Sequence, residues 1–194
     1  MITRIISTLV AVLIAASTAL ANTGSSPKAE MQKTIDDIIV IAGAHQGDGE
    51  KSVRRQKLRD LINPKFNFAE MSKRSLGAKW NELNPEQQSE FTTVFSELLA
   101  RTYLSKIETV KPGMVKVESE QVEEPRAVVK TVVISQGDTF PIDYKLTHQN
   151  NTWQVYDVVI ENIGLVANYR NEFSGIIRKD GFNGLMDKLR KKIA

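Results

Sequence analysis

Apolar positions along the chain recur first at helical spacing, then at strand spacing, then at helical spacing again. From Ala29 to about Ala44, Met31, Ile35, Ile38, Ile39 and Ala42 form one stripe, which predicts an amphipathic helix. Gly43, Gly47 and Gly49 interrupt it. A short, highly charged helix follows at about Lys51 to Ile62, with Val53, Leu58, Leu61 and Ile62 as its inward side. Asn63-Pro64 ends it, because the residue before proline avoids helical backbone. Phe66, Phe68, Met71, Leu76 and Trp80 anchor the next segment, with Gly77 as a helix terminator. The clearest helix start comes next: Asn84 suits the cap, Pro85 the first helical position, and Gln87 stands three residues after the cap. That helix should run to about Thr109, with Phe91, Val94, Phe95, Leu98, Leu99, Thr102, Tyr103 and Ile107 on a broad apolar face.

After Lys111-Pro112-Gly113 the period becomes two. Strands are predicted at about Val115 to Gln121, Arg126 to Ser135, Thr139 to Thr147 and Thr152 to Ile160, joined by short, turn-rich connections that dictate an antiparallel meander. The last strand opens the stretch Trp153 to Phe173. Simple alternation puts Trp153, Val155 and Val159 on one face and Tyr156, Val158 and Ile160 on the other. Both faces are then apolar except for Asp157, so the strand is either sandwiched between layers or lines a cavity. Asn162 can cap the helix that follows, about Ile163 to Lys179, where Leu165, Val166, Tyr169 and Phe173 recur at helical spacing. A last helix is predicted at about Gly181 to Lys192. The pattern reads as α+β: helices packed on the concave face of a twisted four-stranded antiparallel sheet.

Composition adds a compartment. The 194 residues are 41% hydrophobic and 25% charged, enough for one core and short for two. Arg4, the apolar run Ile5 to Leu20 and Ala19-Leu20-Ala21 have the layout of a signal peptide cleaved after Ala21. Residues 22–28 are read as a flexible leader and 29–194 as a single domain. The chain has no cysteine, which excludes disulfides and a lipid-modified cysteine at the cleavage point, and fits a soluble protein of the bacterial periplasm. With Arg4 removed, 25 Lys and Arg face 23 Asp and Glu, a balance that gives no reason to expect nucleic-acid binding. The basic run Lys188 to Lys192 suits the end of a helix, with attraction to anionic lipid or an acidic partner as its functional reading.

Candidate chemistry is sparse. His45 and His148 are read as separate, solvated surface histidines, too few for a zinc site. No phosphate loop or nucleophile elbow appears. Asp143 and Asp157 lie on neighbouring strands and could form a working carboxylate pair. The plainer reading has Asp157 satisfying nearby backbone groups or pairing with a cation such as Arg170. The chain is therefore read as a protein without catalytic residues, metal or cofactor.

Three segments carry a resemblance: Phe66 to Gly77, Trp80 to Tyr103 (WNELNPEQQSEFTTVFSELLARTY), and Trp153 to Phe173 followed by Gly181 to Leu185. Together they resemble the MlaC or toluene-tolerance family of periplasmic phospholipid-shuttle proteins. Asn67, where an acidic residue is common, and Gly164, where a serine is common, depart from the pattern. The resemblance implies an apolar cavity holding a phospholipid as cargo. It also implies delivery between an outer-membrane lipoprotein complex and an inner-membrane ABC transporter with its lipid-receiving subunit, by a monomer that maintains outer-membrane lipid asymmetry. On that basis the cavity wall is assigned to Phe91, Phe95, Leu98, Leu99 and Tyr103 from the long helix, facing Tyr144, Leu146, Trp153, Val155 and Val158 of the sheet. Val166, Tyr169 and Phe173 close one end, and Arg101, Asn168 and Arg170 stand at the mouth. Two other readings stay open: an enzyme of a cone-shaped α+β fold using Asp157, and a ligand-free periplasmic adaptor with a filled core.

Overall fold

The computed structural model describes residues 25–44 and 47–194; the signal segment, the start of the leader and His45 lie outside the described residues. Five helices, α1 (Pro27–Ala44), α2 (Lys51–Ile62), α3 (Phe68–Leu76), α4 (Pro85–Ile107) and α5 (Leu165–Ile193), accompany five strands, β1 (Val115–Glu123), β2 (Arg126–Ser135), β3 (Asp138–Gln149), β4 (Thr152–Ile160) and β5 (Ile163–Gly164). The strands pair in sequence order, each antiparallel to the next.

The start of α4 is as read. Asn84 accepts from the Gln87 N–H at 2.9 Å, and the Gln87 side chain returns a bond to the Asn84 N–H. Helix α1 begins earlier than the apolar stripe indicates. The Ala29 N–H donates to Ser26 Oγ, Pro27 takes the first helical position, and the Lys28 N–H donates to the Glu120 carboxylate on β1 at 2.7 Å. Pro27 and Lys28, expected in the leader, are thus tied to the sheet. In α2, Leu58 is fully buried but Val53 is 46% exposed and not inward as expected. The helix instead turns Arg54 and Arg55 toward Glu108 at the end of α4.

The sheet has five strands, not four. Glu161 and Asn162 both have positive φ (49° and 67°) and form a two-residue turn that sends the chain back to pair Ile163 with Ile160. Asn162 therefore shapes a turn and caps nothing; Gly164 holds the cap position of α5. Alternation along β4 also fails at one point. The register jumps from Leu146–Val155 to Lys145–Asp157, leaving Tyr156 as an extra residue. Beyond that bulge, Val158 and Ile160 join Trp153 and Val155 on one face, and Asp157 and Val159 fall on the other. The strand reads as apolar on both faces because the bulge exchanges them. Gly181, at φ 70° and ψ 179°, kinks α5 into the two segments the sequence separates.

Apolar residues gather in two clusters. One fills the space between α3, α4 and α5 around Phe91, Phe95 and Phe173, all fully buried. The other lies on the covered face of the sheet, with Met31 of α1, Val129, Tyr144, Leu146, Trp153, Val155 and Val158. Helix α1 packs over β1 and β2, while α3 and α5 pack at β4. Phe66 and Leu165 belong to both clusters and join them.

Candidate functional site

The expected wall divides along these clusters. Phe91, Phe95, Leu98, Leu99, Tyr103, Val166, Tyr169 and Phe173 belong to the helical one. Phe95 meets Tyr169 and Phe173 edge-on with ring centroids 5.1 and 5.4 Å apart, and Phe91 meets Phe173 at 5.7 Å. Aromatic rings at these separations fill their own space. Tyr144, Leu146, Trp153, Val155 and Val158 belong to the sheet cluster. The long helix therefore directs its aromatic residues at α5, whereas the sequence reading faces them at the sheet.

The covered sheet face, like the helical core, carries half-buried apolar residues at its margin. Val117, Ile142, Tyr144 and Ile160 on it, and Phe66 and Leu165 at its border, are only half-buried. Tyr144 is the clearest case. It stands mid-strand on β3, opposite Val129 on one side and Val158 on the other, both buried. Burial pushes its hydroxyl up to about 12, yet the side chain keeps accessible surface.

The three residues expected at the mouth do not converge. Arg101 donates to Glu97 on α4 and to the Ala194 carbonyl at the far end of α5. Arg170 lies near the other end of α5, its guanidinium against Gly77, whose φ of 58° ends α3; a cation suits a helix C-terminus. Asn168 is exposed on α5.

Asp157 occupies the place read as a possible catalytic carboxylate. Its Oδ1 accepts the Val166 N–H at 3.1 Å and its Oδ2 the Lys145 ammonium at 3.3 Å. It caps α5 from a neighbouring strand, much as Glu120 does for α1; its cation is Lys145, not Arg170. Sequence reasoning reached the first role but could not see which backbone group was served. His148 is not a solvated surface residue: it stacks on Trp153 at 4.6 Å and bonds to Glu124. In the basic C-terminal run, Lys188, Arg190 and Lys192 form exposed ion pairs with Asp180, Glu90 with Asp187, and Glu172, while Phe182, Leu185, Met186 and Leu189 bury the other side of this segment. Among the described residues no group of three or more His, Asp or Glu side chains is placed to hold a metal, and no helix is long and apolar enough to cross a membrane. Two surface clefts of about 250 and 230 Å³ mix charged and apolar linings, Arg59 and Glu97 beside Val94 and Ile193 in one, Glu30, Glu124 and His148 beside Val122 and Trp153 in the other.

A family model described as MlaC protein matches residues 32–191. The chain belongs to the MlaC family. It is similar to the intermembrane phospholipid transport system binding protein MlaC of Haemophilus influenzae, at 22% identity over 182 residues, spanning 90% of this chain and 84% of the other. It is also similar to toluene tolerance protein ttg2D of Pseudomonas putida, at 21% identity over 175 residues, spanning 88% and 81%. Among solved structures, the phospholipid-binding protein from Ralstonia solanacearum in complex with a phospholipid aligns with a TM-score of 0.78 and 27% identity, covering 87% of this chain and 97% of that one.

Proposed function

We propose that this protein is a soluble periplasmic phospholipid carrier. In this role it takes lipid from one membrane's complex to the other's, between an outer-membrane lipoprotein complex and an inner-membrane ABC transporter with its lipid-receiving subunit, and so maintains outer-membrane lipid asymmetry. The observation that carries the reading is the Ralstonia solanacearum fold: 97% of a chain described as phospholipid-bound is matched by this one. The physical requirement agrees. Each methylene exposed to water costs about 0.8 kcal/mol, so two long acyl chains need on the order of 20 kcal/mol of shelter in transit. The half-buried apolar face around Ile142, Tyr144 and Ile160 is where that shelter is proposed, with Leu146, Trp153, Val155 and Val158 as its floor and Phe66, Leu165 and Tyr103 at its sides. On this reading Phe91, Phe95, Leu98, Leu99, Val166, Tyr169 and Phe173 form the packed rib behind the chains. The head group stays in water, so head-group selectivity should be low; tight preference for one head-group class would count against this arrangement.

Filling the recess tests the reading. Ile142→Trp, at a half-buried position, should keep a cooperative melt yet carry much less phospholipid than the wild type when both are isolated without detergent, read as lipid phosphate per mole of protein. Equal loading of the two proteins would refute the placement, and an unloaded wild type would refute the carrier.

A further inference from the structure

On the carrier reading above, Tyr144 sets a hydroxyl without a protein partner in the middle of the proposed lipid face. Tyr144 Oη forms no hydrogen bond with any described residue, and it is not among the atoms closed off from water-sized contact. Buried hydroxyls almost always find a partner, so an open, unpartnered one is a donor facing whatever occupies the space beside it. Its surroundings narrow the choice. Val129 and Val158 flank it across the ladder, Ile142 and Leu146 flank it along β3, and Ile160 lies one pair further on. None of these offers a side-chain acceptor. Among the described residues, the fully enclosed hydroxyls Ser72 Oγ and Ser75 Oγ of α3 also lack partners, but they are closed off from any ligand.

A phospholipid lying along this face has only one kind of strong acceptor between its phosphate and its chain ends, the acyl ester carbonyls. We propose that Tyr144 donates its hydroxyl proton in a hydrogen bond to an acyl ester carbonyl, fixing how deep the chains sit and making the site prefer ester-linked over ether-linked lipids. Burial keeps the phenol in its protonated, donating form across the physiological pH range. An ether-linked lipid of the same length and head group fills the same volume but lacks the carbonyl.

The test is a competition. Delipidated full mature protein is mixed with vesicles containing equal amounts of a diacyl phosphatidylethanolamine and its dialkyl ether analogue, and the bound species are counted by native mass spectrometry. A single net hydrogen bond of ordinary strength corresponds to up to about tenfold discrimination. The wild type should therefore favour the diester by roughly five- to tenfold, and Tyr144→Phe should bring the ratio close to one by weakening diester binding. Tyr156→Phe, which removes the same atom from a ring covered by Arg74 and Arg126, away from the proposed lipid face, should keep the wild-type ratio. The ratio counts only folded, loaded molecules, so lower yield of a variant does not disturb it. A wild-type ratio near one, or an unchanged ratio in Tyr144→Phe, overturns the proposal while leaving the carrier standing. Uptake of neither lipid by the wild type overturns both.

Discussion

Replacing Asp157 separates a structural carboxylate from a working one. Its side chain is 11% exposed and holds two partners, the Val166 N–H at 3.1 Å and Lys145 Nζ at 3.3 Å. Alanine removes the cap of α5, worth about 1 kcal/mol, and the charge at the helix N-terminus, worth roughly another 0.3–1 kcal/mol. It also strands a buried N–H. The Lys145 ammonium, 40% exposed, returns to water at little cost. Asp157→Ala should therefore destabilise the protein by about 2 kcal/mol, a fall in Tm of roughly 4–8 °C for a chain of this size. Asp157→Asn keeps an oxygen for Val166 and loses only the charge, so its cost should be about 1 kcal/mol or less. Urea titration followed by the fluorescence of Trp80 and Trp153 reads both as shifts in midpoint at constant slope. Both variants should still carry lipid. An Asp157→Ala change within about 0.5 kcal/mol of wild type, or Asn costing as much as Ala, would refute the capping role. Loss of a catalytic turnover with stability intact would revive the enzyme reading.

Two further outcomes follow from the packing and the charges. Phe173→Ala, at the fully buried centre of the ring cluster, should cost about 3–5 kcal/mol in the same titration; a cost under about 1 kcal/mol would mean the rings are not packed as described. Hydrogen bonds from Arg55 lower the pKa of Glu108, and those from Arg59 lower that of Glu97, each below the ordinary 4.5. Carboxylates depressed in the folded state add stability that is fully present above their unfolded value and is lost as pH falls through the folded one. Stability should thus decline below about pH 4.5, and Glu108→Gln should flatten that acid limb while lowering stability at neutral pH; an unaltered acid limb would contradict the assignment.

Much of the architecture is legible in the chain because its signals are local. The Asn84–Gln87 cap, the long apolar face of α4 and the turn-bounded strands each arise from neighbouring residues. What escapes local reading has a common cause: the residues involved serve two geometries equally well. Asn162 tolerates positive φ as readily as it caps a helix, and only pairing of Ile163 with Ile160 decides between them. A two-residue strand has no period to detect. The bulge at Tyr156 reverses the parity of β4, so a strand with one covered face imitates one buried on both; the lone Asp157 in mid-strand is the residue that marks the reversal. That these positions are apolar and inward was legible, but their division between a helical cluster and a sheet cluster was not. Spacing says that a position is buried, and only the fold says against what.

The most direct test of the central claim is native mass spectrometry of the mature protein, taken from a bacterial periplasm without detergent. The expected spectrum shows folded protein with an added mass equal to a phospholipid, released on collisional activation. Folded protein carrying no such mass would contradict the carrier reading and leave a packed, ligand-free periplasmic adaptor in its place.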